Sequence, residues 1–277
     1  MERTYYLTLR GRIRSWDMLT ALALTVAVVA ACNPVTQGSP RPASAKTYWY
    51  TRSLRYDLAV VSGDHPYMAF SSAVRELWIS ADGSGRLRIA VPALTFASTV
   101  DESAWEAAGR PSQRAIDQSF GPGGLKYEHV ELLPTDTSSL KKVVAASTAA
   151  HVNEIGRIAQ LLLETPASAS LRGSLFEVAS GLPNTTEKTG TDKLGREGRL
   201  LSGPTTFDGL AATHMLLFDA SDFRLLEDTT ILDSLPLGWD IAGPIVVSRA
   251  TVEESRIATT TDLVPAATSA VSRPGAP

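Results

Sequence analysis

The residue whose type and position best define a chemical reaction is Cys32, the only cysteine in the chain. It directly follows Val29, Ala30 and Ala31, and a signal peptidase needs small residues close to the bond that it cleaves. This arrangement is typical of the bacterial lipoprotein signal, in which the cysteine thiol receives diacylglycerol before the leader is removed. The sequence therefore predicts acylation of Cys32. A lone cysteine permits neither an internal disulfide nor a cysteine-based zinc site.

The residues before Cys32 have the other features of a secretory leader. Four arginines precede a mostly apolar run of roughly 14 residues, from Met18 to Ala31. A permanent membrane span needs about 20 apolar residues, so the length favours cleavage. Two alternatives remain: the leader stays as a helical anchor, or Cys32 is only a small residue at an ordinary cleavage site. With acylation, the mature protein is expected at the cell membrane, lipid-anchored (diacylglycerol and palmitate) on the extracytoplasmic face.

The other residues with catalytic potential lack the required spacing. The histidines lie far apart, with none of the short separations that bind metals: His65, His129, His151 and His214. No Gly-x-Ser-x-Gly motif is present, and the glycine-rich segment 121–124 lacks the Lys-Ser/Thr pair of a phosphate-binding loop. The sequence thus predicts no catalytic residue, no metal and no cofactor. A cell-envelope hydrolase using Asp/His or Ser/His pairs is the enzymatic alternative.

The composition is that of a globular protein with a mild negative charge. The chain has 277 residues, 44% of them hydrophobic, and a formal net charge of −3. Loss of the leader makes the charge about −5, which argues against a nucleic-acid partner because such proteins carry clustered Lys and Arg. Composition divides the chain into a leader (1–31), a Pro- and Ser-rich tether (32–46), a single domain (47–257) and a disordered tail (258–277).

Alternation and β-favouring residues predict an antiparallel sheet. The most strongly indicated hairpin turns at Asp82–Gly85, where glycines supply positive φ angles. The predicted strands are 48–54 and 58–61 (separate or joined), 74–79 and 86–91, 198–202, 214–218 and 223–227, and 245–253.

Two amphipathic helices are expected between these strands. Apolar residues recur at three- and four-residue steps from Ser138 to about Glu164, and a second stripe follows Ser168 or Ser170 and ends at Gly181. Residues 94–125 are assigned only as a partly helical surface insertion. The pattern predicts an α+β fold in which the two helices pack on one face of the antiparallel sheet.

Aromatic residues on the predicted strands raise the question of a pocket. In a strand, Trp49 points to one face and its neighbours Tyr48 and Tyr50 to the other. The simplest interpretation is core packing. The alternative is an apolar pocket for acyl chains or greasy peptide segments, and its candidate residues are Trp49, Trp78, Leu175 and Phe176.

Several segments resemble an uncharacterised family of actinobacterial secreted or membrane-anchored proteins. They are Trp78–Arg86, Leu133–Asp136, Gln160–Leu162, Leu171–Phe176, Gly181–Pro183 and Thr191–Gly198. The family resembles, more distantly, the bacterial lipoprotein-carrier fold. That resemblance implies a curved, incomplete antiparallel barrel, or half-barrel, closed by helices. It also implies lipid carriage or the sensing of envelope stress.

The predicted function is therefore non-enzymatic. We expect a lipid-anchored protein outside the cytoplasm that binds a hydrophobic ligand or an envelope protein. A regulatory partner of a sigma/anti-sigma system and a purely structural surface lipoprotein are the alternatives within the non-enzymatic class.

Overall fold

Antiparallel strands form one open sheet in the part of the chain that the structure describes. The structure is a computed structural model, and it describes residues 46–61, 64–111, 113–146, 153–233 and 244–261. All the described residues belong to one compact unit. The leader and Cys32 lie outside the described residues.

The sheet has ten strands, and their order is β5-β3-β2-β1-β10-β9-β8-β7-β6, with β4 paired to β2. The first and last strands of this order do not pair, so the sheet does not close into a barrel. The strands are β1 (Tyr48–Val61), β2 (Tyr67–Ile79), β3 (Gly85–Ile89), β4 (Ala93–Phe96), β5 (Ile116–Phe120), β6 (Thr186–Thr191), β7 (Glu197–Phe207), β8 (Leu210–Phe218), β9 (Leu225–Leu232) and β10 (Ile245–Ala258).

Four α-helices accompany the sheet within the described ranges. They are α1 (Thr99–Ala107), α2 (Thr137–Ala146), α3 (Glu154–Leu163) and α4 (Ala169–Ser180). The prediction of one helix from Ser138 to Glu164 was wrong, because the chain is extended at Asn153 and starts a new helix there. The Asn153 side chain accepts a hydrogen bond from the backbone N–H of Gly156 at 2.9 Å, which caps α3. None of the described helices is long and apolar enough to span a bilayer.

The main core lies between α2–α4 and the C-terminal half of the sheet. The amphipathic stripes of the three helices meet residues of β7–β10 there, and many of these side chains are fully buried. Representative members are Leu140, Ile158, Leu175, Leu201, Leu216 and Phe218. Of the two predicted caps, Ser168 is the one that caps α4, by accepting a hydrogen bond from the N–H of Leu171.

A second apolar cluster lies on the N-terminal half of the sheet, where residues 120–127 cover β2 and β3. The glycine-rich segment belongs to this cover rather than to a ligand site. Gly123 donates a backbone hydrogen bond to Asp82, and Leu125 donates one to Gly83, both at 2.7 Å. A Cβ on Gly83 would lie 2.6 Å from the Leu125 carbonyl oxygen, and its φ of +74° also favours glycine.

The predicted α+β class is confirmed, with helices on one face of an antiparallel sheet. Both predicted hairpins are present, and residues 48–61 form one long strand rather than two. Residues 94–125 differ from the expectation of a surface insertion. They contain one helix, as expected, but also β5 and most of β4, which pair with the sheet.

Candidate binding site

The helices cover the two sides of the sheet face and leave central strands between them. On one side, α1 lies against β2 and β4, and an aromatic chain runs from Tyr67 through Phe96 to Trp105, with ring centroids 6.5 Å and 5.2 Å apart. On the other side, α3 lies against β8 and β9. Strands β1 and β10 run between these two covers in the sheet order. Polar residues lie on this part of the face.

The centre of the site is a pair of arginines that share one carboxylate. Arg55 Nη2 donates to Glu164 Oε1 at 2.9 Å, and Arg75 Nη1 donates to the same oxygen. Arg55 comes from β1, Arg75 from β2, and Glu164 is the residue that ends α3. Their side chains are 25%, 14% and 33% exposed, respectively. Two guanidinium groups therefore meet a single carboxylate in a partly buried place.

The strand register explains why the two arginines converge. Ser53 pairs with Arg75 and Arg55 pairs with Ala73, so Arg55 and Arg75 are diagonal neighbours on one face of the sheet. Burial is the main cause that lowers the pKa of the Arg75 guanidinium, and the charge of Arg55 lowers it further, whereas Glu164 acts in the opposite direction. The pair thus holds an excess of positive charge near the end of α3.

Asp57 continues the polar residues along β1. Its carboxylate accepts a hydrogen bond from Ser248 Oγ on the paired strand β10 at 3.1 Å. The side chain is exposed, yet displacement of solvent by surrounding protein atoms raises the pKa of its carboxyl group. The charge of Arg55, two residues earlier on the same strand, lowers this pKa and partly opposes the effect of burial.

His214 and Asp228 complete the site on β8 and β9. His214 Nε2 lies 2.6 Å from Asp228 Oδ1, and both side chains are mostly buried. Thr230 pairs with both His214 and Ser248, so the pair lies on the same face as Asp57. We call the whole set the polar strip, and its members are Arg55, Asp57, Arg75, Glu164, His214, Asp228 and Ser248.

The polar strip carries charged side chains that can bind a charged or polar group. In the described residues, Ser248 donates to a carboxylate and His214 pairs with a different one, so no Ser–His hydrogen bond activates a nucleophile. No group of three or more His, Cys, Asp or Glu residues with metal-binding geometry is found in the part of the chain that the structure describes.

The opposite face of the same strands carries a different charged row. Five residues of alternating sign occupy paired positions on five neighbouring strands. We call this row the charge ladder, and it consists of Glu254, Arg52, Glu76, Arg88 and Asp117.

Glu76 is the buried centre of the charge ladder, with 9% of its side chain exposed. It lies 3.7 Å from Arg52 and 3.2 Å from Arg88, and the hydroxyl of Tyr50 donates to it at 2.9 Å. Arg88 also lies 3.5 Å from Asp117. Each inner charge of the ladder thus has an oppositely charged neighbour on both sides, and each terminal charge has one such neighbour. Opposite charges at paired positions stabilise a sheet.

A further open groove of about 370 Å³ lies beside β7. It is lined by hydroxyl, amide and backbone groups of Asn184, Thr186, Ser202, Gly203, Pro204 and Thr213. The pairing of β6 with β7 ends at Ser202, so β7 has a free edge at Pro204. Proline fits this position because no partner strand there requires a backbone N–H. Asn153 Nδ2 donates to the Pro204 carbonyl at 3.1 Å, which fixes the start of α3 to this edge.

The four residues of the predicted pocket lie in three separate clusters. Trp49 packs with the second apolar cluster, on the helix-bearing face. Trp78 is on the opposite face against Tyr50, with ring centroids 4.8 Å apart. Leu175 and Phe176 belong to α4 and are buried in the main core. The structure therefore does not bring these four side chains together.

The other residues singled out from the sequence have varied positions. His129 Nδ1 lies 2.7 Å from Glu131 on the surface. Val29, Ala30, Ala31, Cys32 and His151 lie outside the described residues.

Most of the polar strip was missed at the level of the sequence. The available signal was charge within a strand: Arg55 and Asp57 continue the same alternating positions as Trp49 and Ser53 on β1. A pair of charges on a face that also carries Trp49 indicates a site or an ion pair. The contact with Glu164 could not be predicted, because it depends on where α3 ends in space.

Comparison with known proteins adds no assignment. No protein family profile matches this chain, and no curated protein matches it. The resemblance to actinobacterial envelope proteins and to the lipoprotein-carrier fold thus stays a prediction.

Proposed function

We propose that this protein is a lipid-anchored binding protein of the extracytoplasmic membrane face, without catalytic activity, and that the sheet surface along the polar strip receives a hydrophobic or amphiphilic ligand. The observation that carries the proposal is the position of Arg55, Asp57 and Ser248 on β1 and β10, the strands between the α1 cover and the α3 cover. Sheet residues between two covers offer a concave surface, and ligand sites are commonly concave.

The surface next to the polar strip supports an apolar ligand portion. On the same face, Ala59 follows Asp57 on β1 and Ala73 lies opposite Arg55 on β2, and both residues are partly exposed. Small side chains leave the sheet open at these two positions, whereas Ala69, which pairs with Phe96, is buried. An apolar chain lying there would have its polar end near the arginines.

The anchor is tested by acyl labelling in cells. A clickable palmitate analogue should label the mature chain, and Cys32→Ser should remove the label and release the protein from the membrane fraction. Because Cys32 is the only cysteine, loss of label assigns the modified atom without ambiguity. An unlabelled chain that keeps its first residues and stays inside the cell would contradict the proposed location.

Ligand binding is tested on protein purified from its host. Native mass spectrometry should detect the chain with a bound small apolar molecule that organic extraction removes. Protein without any bound molecule, and with no affinity for acyl-chain probes, would contradict the proposal. Turnover of an envelope substrate that is lost in His214→Gln would favour the hydrolase alternative instead.

A further inference from the structure

We infer that the position between Arg55 and Arg75 is an anion site that Glu164 fills in the absence of ligand, and that the acidic head group of an amphiphile takes its place. The inference rests on the proposed function and specifies its ligand class, an acyl chain that ends in a carboxylate or phosphate. Guanidinium groups bind both of these anions through paired N–H donors.

The first argument is the ratio of charges. Both arginines donate to one oxygen atom of Glu164. The other donor contact of Arg55 in the described structure is to a neutral group, because its Nε donates to Ser53 Oγ at 3.1 Å. In a one-to-one ion pair the charges would cancel, whereas two guanidinium groups and one carboxylate leave a positive charge that attracts an incoming anion.

The second argument is the location of Glu164. It ends α3, where the backbone carbonyl groups concentrate negative partial charge. This negative partial charge repels a carboxylate, so the position of the Glu164 carboxylate depends on its contacts with the two arginines. The head group of a ligand would gain the same two partners without that opposing interaction. One third of the Glu164 side chain is exposed, which leaves a path for the exchange.

The acidic residues around the arginines limit where the ligand can lie. Asp57 follows Arg55 on β1, and the hydrogen bond from the neutral Ser248 hydroxyl does not cancel its repulsion of an anion. Asp228 lies on β9, where it pairs with His214. The head group is therefore expected at the arginines and the acyl chain beside Ala73, which lies opposite Arg55 on β2.

The test uses the purified full chain and four probes below their aggregation limits: dodecanoate, 1-dodecanol, butyrate and inorganic phosphate. Wild type should bind dodecanoate at least tenfold more tightly than dodecanol, and Arg55→Gln should remove most of that preference without changing dodecanol binding. Arg55 is chosen because it is more exposed than Arg75. Arg52→Gln, on the opposite face, is the matched control and should change neither affinity.

Glu164→Gln gives the sharpest result, because only a carboxylate that competes with the ligand predicts a gain in affinity when it is removed. Removal of a competing carboxylate should raise dodecanoate affinity several-fold, whereas a purely structural ion pair would lose affinity or show no change. Equal binding of dodecanoate and dodecanol by wild type would overturn the inference but keep the proposed function. Absence of binding by both would overturn the proposed function itself. Butyrate or phosphate binding as tightly as dodecanoate would overturn the amphiphile as ligand.

Discussion

The two faces of β1 and β2 carry charged clusters that use the same residue types to different effect. In the charge ladder, register alone places opposite signs next to each other across five strands. In the polar strip, Arg55 and Arg75 are both on the sheet, and their carboxylate comes from the end of a helix. The ladder is complete within the sheet, whereas the arginine pair depends on a group from another layer.

This difference separates a stabilising cluster from a binding cluster. Glu76 is mostly buried and takes three partners, so its loss leaves buried partners unpaired. Glu164 is more exposed and has an excess of positive charge around it. Stability measurements should therefore respond strongly to changes in the ladder and weakly to changes in the strip.

The largest expected effect is that of Glu76→Gln. It should lower the free energy of unfolding by about 2 kcal/mol, because Arg52, Arg88 and the Tyr50 hydroxyl lose a buried charged acceptor. Glu164→Gln should cost less than about 1 kcal/mol, since a partly exposed ion pair contributes little. Urea unfolding of both variants measures the difference, and equal losses would remove the distinction between the clusters.

A smaller effect is expected from Tyr50→Phe. Loss of the hydroxyl that donates to Glu76 should cost about 1 kcal/mol near neutral pH. Burial, followed by the hydrogen bond to Glu76, raises the pKa of the Tyr50 hydroxyl above its usual value of 10.0. As the pH rises, the unfolded chain therefore releases the Tyr50 proton at a lower pH than the folded chain. The stability that Tyr50 contributes is present below about pH 10 and is lost as the pH rises further.

The alkaline part of this prediction has its own measurement. Wild type should lose stability above about pH 10 more steeply than Tyr50→Phe, as followed by urea midpoints over a pH series. Parallel curves for the two proteins would contradict the role of the hydrogen bond between the Tyr50 hydroxyl and Glu76.

The smallest effect concerns Glu128, a second carboxylate that has two cationic partners and can be compared with Glu164. Glu128 bonds Arg157 of α3 at 3.0 Å, and hydrogen bonds from Arg157 and then Lys126 lower the pKa of Glu128 to about 2. The folded-state pKa is below the usual 4.5, so this contribution is present above about pH 4.5 and is lost as the pH falls toward 2.

Glu128→Gln should accordingly reduce the loss of unfolding free energy between pH 5 and pH 2. The reduction should be less than about 1 kcal/mol, because the Glu128 side chain is nearly one-third exposed. Urea midpoints between pH 5 and pH 2 provide the measurement. Glu187→Gln, which removes an exposed pair with Arg199, is the matched control. A larger acid response in the control would contradict the role of Arg157 as the partner of Glu128.

Local sequence signals identified much of the sheet. The turn at Asp82–Gly85 and the alternation around it predict β2 and β3, because glycine conformation and side-chain period are local properties. β6 was missed because its residues are polar and exposed at nearly every position, so no apolar alternation marks it. The break before α3 was missed because the apolar stripe continues across it, and only the cap at Asn153 reveals it.

The sequence by itself determined the α+β class, the principal hairpins, the capped helix α4 and the prediction of an acylated Cys32, since each follows from neighbours along the chain. Tertiary structure alone decided which charged residues meet. Arg55, Arg75 and Glu164 are separated by 20 residues or more along the chain, and their contact depends on strand register and on the point where α3 ends above the sheet. Such non-local geometry arises from packing of the core, which no single segment encodes.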